Sequence, residues 1–354
     1  MTTPPATTPP ARTATAATTS PARTATAPAN ETPLAAAAAG SASSAVHTGW
    51  HLFAFLSELT GNLTPLAIGP RRLMAVRQHD EVRLFDANCP HRGAHLGIGG
   101  TVDGDCVICP FHGKRITLGD TTGRRWAVRE HPVLRWGQAL FTRLGQDDAD
   151  DRGLPAALAA FDATHPLVAA LTRDIAAPAE LIVENAFDGD HFTALHKVPK
   201  VGGMQTRPGE AGELVIEGEF FMQTSPWQDD RAKEAVRWEA VRTGVVRWDY
   251  RPRFLARAFS PGVVVTEFGP PGRTHVIVTA AVPTATGCTA RVAIGVSAGH
   301  EAELPMLIAG SHKAIGEDIS IWENLDLTAE PHYDAGDRPV LAFKAFCAGF
   351  GRLA

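Results

Sequence analysis

Cysteine is sparse and scattered in this sequence: Cys89, Cys106, Cys109, Cys288 and Cys347 are the whole complement of a 354-residue chain. That number and spread exclude a disulfide framework and point to a reducing compartment, in keeping with a cytoplasmic protein whose cysteines are free for metal chemistry. No run approaches the roughly 18 uninterrupted apolar residues that a membrane-spanning helix needs. Positive charge is not in excess. With Lys plus Arg at 33 against Asp plus Glu at 38, the formal charge is −5, which argues against a nucleic-acid partner. There is no compact apolar core of a secretory signal and no internal repeat. What remains is an apolar fraction of 44% and a charged fraction of 20%, the balance of a globular chain long enough for two domains.

Organisation follows from shifts in composition. Residues 1–45 are nearly all Ala, Thr, Pro and Ser, with Arg12 and Arg23 the only charges before Glu31. Such a segment has no large side chains to bury and reads as a disordered tail. Its basic and hydroxyl-rich start also resembles an organelle transit peptide, but it lacks that peptide's amphipathic apolar face. Order is expected from near Trp50. Between Leu63 and Leu144, short apolar runs recur between Gly, Asp, Asn and Pro, the pattern of a small antiparallel β domain over 46–145. Residues 146–166, with the acidic run Asp147–Asp151 and Pro155 and Pro166, read as a linker or lid. The region 167–354 opens with a helical stretch around Ala179–His196. Strands follow at Leu214–Met222, Val263–Phe268, His275–Pro283 and Thr289–Ser297, and a helix closes it near Glu301–Asn324. Sheet first and long helix last makes this half α+β rather than doubly wound.

The strongest chemical signal is Cys89-Pro90-His91 followed, after seventeen residues, by Cys109-Pro110-Phe111-His112-Gly113. Two thiolates and two imidazoles on paired β loops suit a [2Fe–2S] cluster with cysteines on one iron and histidines on the other. Pro90, Gly93, Pro110 and Gly113 permit tight loops whose N–H groups approach the sulfurs. A Cys₂His₂ zinc site uses the same donors, but zinc fingers place both histidines together on a helix, whereas here each cysteine carries its own. A Cys106–Cys109 thiol redox pair is the remaining alternative, and Cys109 has the better use in the cluster.

A second constellation lies at Asn185, Asp188, His191 and His196. His-x₄-His is weak alone, since two surface histidines account for it readily. Residues five apart lie about 140° around a straight helix, so joint ligation needs a π-bulge or a broken turn. Asp188, three before His191, is placed to accept that imidazole's other N–H. A carboxylate from elsewhere would complete a facial triad with positions open for O₂ and substrate. On the closing helix, Ile315, Ile319 and Trp322 form an apolar stripe that Asp318 borders, with Glu317 the fallback and Glu323 and Asp326 expected in solvent. His51, His95, His131, His275, His312 and His332 lack a ligand spacing, and Phe220, Phe221, Trp227 and Phe268 read as core.

With these residues in view, nearly everything after Trp50 resembles the α subunits of Rieske non-haem iron oxygenases, the ring-hydroxylating superfamily. The tail, with Asp318-Ile-Ser-Ile-Trp and Asp337–Phe350, is most similar to the aminopyrrolnitrin N-oxygenase, prodiginine-cyclising and cholesterol 7-desaturase subgroup. The resemblance implies an N-terminal all-β Rieske domain and a helix-grip-like catalytic domain with an antiparallel sheet. It implies Cys89, His91, Cys109 and His112 as cluster ligands, and His191, His196 and Asp318 on a mononuclear Fe(II). Asp188 would link His191 to His112 of a neighbouring subunit in a head-to-tail homotrimer, and Asn185 would line the iron pocket. It also implies O₂ and a small apolar, aromatic, heteroaromatic or polycyclic substrate, with electrons from NAD(P)H through a separate reductase or ferredoxin. Hydroxylation, N-oxidation, desaturation and oxidative cyclisation all stay open. The rival is a Rieske electron-transfer protein with an appended binding domain. One departure stands out: Lys114-Arg115 follows His112-Gly113 where the family usually has Trp.

Overall fold

The computed structural model describes residues 46–145, 151–224, 230–270 and 272–353. The expected tail at 1–45, the acids Asp147, Asp148 and Asp150, and Trp227 lie outside them. The strands of the first half are β1 (Val46–His47), β2 (Gly49–Phe55), β3 (Leu63–Ile68), β4 (Arg71–Gln78), β5 (Glu81–Asp86), β6 (Thr101–Asp103), β7 (Cys106–Ile108), β8 (Arg115–Leu118), β9 (Ala127–Val128), β10 (Glu130–His131), β11 (Val133–Trp136) and β12 (Ala139–Leu144). All but β1 form three small sheets, ordered β10-β5-β4-β3, β11-β12-β2 and β6-β7-β8-β9. Turn residues set the hairpins: Gly104 joins β6 to β7 at φ 57°, a left-handed conformation that glycine adopts without steric cost.

The second half is built on one seven-stranded sheet of β13 (Leu167–Ile175), β14 (Lys200–Pro208), β15 (Leu214–Phe221), β16 (Arg253–Ser260), β17 (Val263–Gly269), β18 (His275–Pro283) and β19 (Cys288–Val296). β14 to β19 run as an antiparallel meander, and β13 returns to pair with β19 at the far edge. Helices α2 (Ala179–Glu184), α3 (Asp190–Ala194), α5 (Leu304–Trp322) and α6 (Arg338–Ala348) supply residues to the cores on one face of this sheet, while α1 (Leu154–Asp162) and the first half pack on the other. A further helix, α4, spans Asp230–Thr243, and the chain ends in β20 (Arg352–Leu353), paired with β1. Among the described residues no helix is long and apolar enough to cross a membrane.

The period of two along each strand sorts its side chains between these faces. Val263, Val265, Val276, Val278 and Ala280 join Trp50, Leu52, Phe55, Trp136 and Phe141 in a core shared with the first half. Each large side chain buried there contributes roughly 1.5–3 kcal/mol. Two polar links reinforce the join: Ser260 Oγ donates to the Trp50 carbonyl at 2.6 Å, and Arg291 pairs with Glu58 at 3.0 Å. Gly137 shows how closely the halves meet, since a Cβ there would lie 2.3 Å from the Leu167 carbonyl oxygen.

Three expectations need correction. The stretch 146–166 is not a plain linker: it contains α1, which buries Leu154 and Leu158 in the shared core. Pro155 starts that helix rather than preventing it, because a first-turn N–H has no intrahelical partner to lose. The 167–354 half opens with strand β13, not a helix; its bulge between Ala169 and Leu171 breaks the alternation that would have marked it. Finally, Ala179–His196 is not one helix. After α2 comes a 3₁₀ turn at Asn185–Phe187, then Asp188 turns extended at φ −100°, ψ 113°. Its carboxylate accepts the N–H of Asp190 at 2.9 Å and of His191 at 3.4 Å, which restarts the chain as α3.

Candidate functional site

Two loops of the first half are near copies of each other. Cys89 N–H donates to the Ala94 carbonyl and Gly93 N–H to the Cys89 carbonyl, both at 2.8 Å. Cys109 repeats this with Lys114 at 2.8 Å and Gly113 at 3.0 Å. Gly93 and Gly113 occupy equivalent places at φ 71° and 65°, and a Cβ on either would meet open space. Glycine is therefore required for its dihedral, not for room. The repetition places both thiols side by side, buried and in mutual hydrogen-bond contact, with the N–H groups of His91 and Arg92 aimed at one and those of Phe111 and His112 at the other. Burial pushes the Cys89 thiol up against the pull of its N–H donors. Burial acts on Cys109 too, but the Phe111 and His112 N–H groups and the Cys89 thiol bring it below its ordinary value.

The imidazoles complete the set. His91 and His112 stand edge to face with ring centroids 4.7 Å apart, and His112 is exposed. The His91 Nδ1 is buried without a hydrogen-bond partner, and burial followed by the His112 charge lowers that group's pKa. Two sulfurs and two ring nitrogens converging from paired loops, one nitrogen orphaned, fit a metal cluster bound by thiolate and neutral imidazole. Trp126 packs at 5.5 Å from the His91 ring, and Lys114 lies 5.6 Å over that indole, so the unusual Lys114 sits beside an aromatic supplied by another segment.

The second constellation forms as well. His191, His196 and Asp318 each offer one ligand atom within 4.8 Å of the others. The broken turn that joint ligation requires is present. The His191 carbonyl accepts N–H groups from Leu195 at 2.8 Å and from His196 at 3.3 Å, the latter an i+5 bond that widens the turn. Lys197 then takes φ 57° to leave the helix. Both imidazoles are aimed through Nδ1. His191 Nδ1–H donates to the Asp188 main-chain carbonyl at 2.8 Å, while the Asp188 carboxylate stands 3.7 Å away. Asp188 thus orients His191, but by its backbone and not by the carboxylate on a shared helical face. His196 Nδ1–H donates to Glu317 at 2.9 Å, leaving Nε2 3.3 Å from Asp318. Glu317, the fallback ligand, grips the far side of His196 instead.

Electrostatics separate the two histidines. Burial lowers the His191 pKa against the attraction of Asp188 and Asp318, so the ring is held neutral. Hydrogen bonding to Asp318, and then to Glu317, raises that of His196. Asp318 is only 5% exposed on the inward face of α5, beside Trp322. Two imidazoles and a buried carboxylate on one side of a point, with the other side open, are the donors of a facial site for a divalent metal.

That open side faces a cavity of about 180 Å³ walled by Phe192, Phe254, Ile277, Ile315 and Trp322, with Asn185 at its edge. Phe220 stacks on Phe254 and Phe268 meets it edge to face, as core residues should, while Phe221 is half-buried between Lys200 and Arg251. Phe192 and Phe254 are the wall residues that sequence reading missed; Phe192, adjacent to His191, carried the only usable signal. The other histidines have structural tasks or are exposed: His131 pairs with Asp86 at 2.9 Å, and His312 bonds the Ala170 carbonyl. Glu323 is exposed, as expected, and its carboxylate accepts the Ala176 N–H at 3.0 Å.

Comparison with known proteins bears on both sites. Residues 49–133 match the Rieske [2Fe–2S] domain family. The chain is 32% identical over 174 residues to the cholesterol 7-desaturase of Drosophila melanogaster, covering 44% of this chain and 39% of that protein. It is 26% identical over 213 residues to the oxygenase component of the 3-ketosteroid-9-alpha-monooxygenase of Rhodococcus rhodochrous, covering 55% and 53%. The chain thus spans about half or less of each curated relative. Among solved structures, dicamba monooxygenase with non-haem iron and dicamba superposes with a TM-score of 0.63 at 16% identity, over 85% of this chain and 96% of that one. A likeness at that identity establishes the fold, which is that of Rieske oxygenases.

Proposed function

We propose that this chain, whose residues 49–133 form a Rieske [2Fe–2S] domain, is the oxygenase component of a Rieske non-haem iron system acting on an apolar ring compound with O₂. One observation carries the reading: a second, three-donor site of His191, His196 and Asp318 opens onto an apolar cavity, which a simple electron carrier has no use for. When bound, the cluster and the lone iron supply single electrons and O₂ activation respectively. The residues do the rest. Cys89, Cys109, His91 and His112 hold the cluster with its histidine edge toward solvent. Asp188 and Glu317 fix the two imidazoles by Nδ1, so that both Nε2 atoms face one point. Phe192, Phe254 and Trp322 exclude water there, and Asn185 offers a neutral amide at the rim.

Electron entry follows from the same geometry. Among the described residues no hydrogen bond or ring contact joins the two sites within one chain, while His112 is exposed and the Asp188 carboxylate, beside His191, is partly exposed. A head-to-tail homotrimer, in which Asp188 of one subunit meets His112 of the next, supplies the link. A separate ferredoxin or flavin reductase, drawing on NAD(P)H, supplies the electrons. Five free cysteines suit a reducing cytoplasm. The cluster domain spans 46–145 and the oxygenase domain 167–354.

Metal analysis tests the reading. Purified protein should be brown and hold about three irons with labile sulfide per chain, two from the cluster and one from the facial site. His191→Ala should lose one iron and all turnover while keeping the cluster's visible spectrum. Two irons in the unaltered chain would refute an oxygenase.

A further inference from the structure

The cavity beneath the facial site has a polar feature that metal binding does not explain. β17 and β18 turn Val263, Val265, Val276 and Val278 toward the shared core. On their opposite face, the same two strands carry Thr266 and Thr279 into the cavity. The register pairs Thr266 with Ile277 and Val264 with Thr279, so the threonines are diagonal neighbours on one surface. β-branching alone does not account for them, because valine serves that need four times on the other face. The hydroxyls are the difference.

Neither hydroxyl has a hydrogen-bond partner among the described residues, and neither is sealed from the cavity space. The neighbouring wall residues Phe254, Ile277, Val292 and Ile315 offer nothing to bond, and Ser311 of α5 is the other hydroxyl that lines the cavity. Water can satisfy both hydroxyls while the cavity is open, but an apolar ligand that displaced it would leave them unpaired, so they favour a ligand that carries its own acceptor. The cavity size narrows that ligand. At about 180 Å³ it is close to the ~150 Å³ space that takes one benzene ring, and below the ~300 Å³ at which drug-sized pockets begin.

We propose that Thr266 and Thr279 form a hydrogen-bonding floor that selects one six-membered ring bearing an oxygen acceptor, either a monocyclic substrate or the leading ring of a larger one. The threonines donate to the oxygen, the aromatic wall packs the ring, and the opposite edge of the ring faces His191, His196 and Asp318. The fate of that ring rests on the oxygenase reading; its binding does not.

Acetophenone and α-methylstyrene test this, because they share ring and shape and differ by oxygen against methylene. Equilibrium dialysis against the metal-loaded full chain should show acetophenone held at least about tenfold more tightly, since a site built to hydrogen-bond rejects the analogue that cannot. Thr266→Val/Thr279→Val should reduce that preference to within about twofold while α-methylstyrene binds as well or better, and the double Thr→Ser variant should restore it. If the double valine variant misfolds, each single valine variant is read the same way. A preference that survives valine, equal loss of both probes in a folded variant, or no preference in the unaltered protein overturns the assignment. Iron content keeps the two readings apart. Full iron without an oxygen preference sinks only the threonine floor, whereas a missing third iron sinks the oxygenase reading and leaves the preference measurable.

Discussion

The cluster loops and the facial triad are built in opposite ways. Cys89–Ala94 and Cys109–Lys114 reach their geometry within six residues each, by hydrogen bonds that return to the same loop and a glycine at the same left-handed position. The facial site has no such local logic. His191 and His196 come from a broken helical segment, and the groups that complete and orient it, Asp318 and Glu317, come from α5, with 121 positions separating His196 from Glu317. The sheet is what holds α5 opposite α3: Leu304, Leu307, Ile308 and Ile315 pack on Val292 and Ile294 of β19. A self-contained loop can be tested by changing the loop. A site assembled across the fold also depends on residues that touch no metal.

Three perturbations would break or sharpen this contrast. The largest effect is expected from Cys109→Ser, which should abolish the brown colour and lower iron from about three to about one per chain, the facial site surviving because Phe192, next to His191, packs in a different core from Cys109. Iron analysis and visible absorption decide it; loss of all iron would mean the two sites are not independent. A middling effect is expected from Glu317→Gln, which weakens the acceptor on His196 Nδ1 without touching the metal. Iron affinity at the facial site should fall roughly 10–100-fold, with the cluster spectrum unchanged. An equal loss of cluster would show that α5 supports both regions. The smallest effect is on pH stability. Burial lowers His51 in the first half and His275 in the second to about 4 from 6.5. Unfolded chain takes up protons below about 6.5 that the folded chain refuses, so stability is intact above that pH and should fall as pH drops from about 6.5 to about 4. His51→Gln should flatten part of the slope in melting temperature; an unchanged slope would place the acid sensitivity elsewhere.

The same contrast explains which parts were legible in advance. Cys-x-His and Cys-x-x-His were readable because donors two or three residues apart, with Pro and Gly beside them, already define a loop. The pair His191 and His196 implied a broken turn, and the His196 N–H to His191 carbonyl bond supplies it. Asp318 borders the stripe of Ile315, Ile319 and Trp322, but it was the family resemblance of Asp318-Ile-Ser-Ile-Trp, not the stripe, that singled it out over Glu317. Strand β13 was not, because a bulge and its edge position left its burial irregular. Helix α1 was hidden by Pro155, a residue that breaks helices from within and begins them at the first turn. Nor could sequence tell that Asp188 would hold His191 by its carbonyl, since that depends on an extended φ and ψ at one residue.

Local spacing by itself determined the Cys-His pairs and the His191–His196 pair, and the division into a β-rich first half and an α+β second half, because those properties follow from neighbours along the chain. Only the tertiary structure decided that Glu317 grips His196, that Phe192 and Phe254 wall the cavity, and that Thr266 and Thr279 share its floor. Each of those facts requires segments distant in sequence to be packed at ångström precision, and strand register and helix docking set that packing.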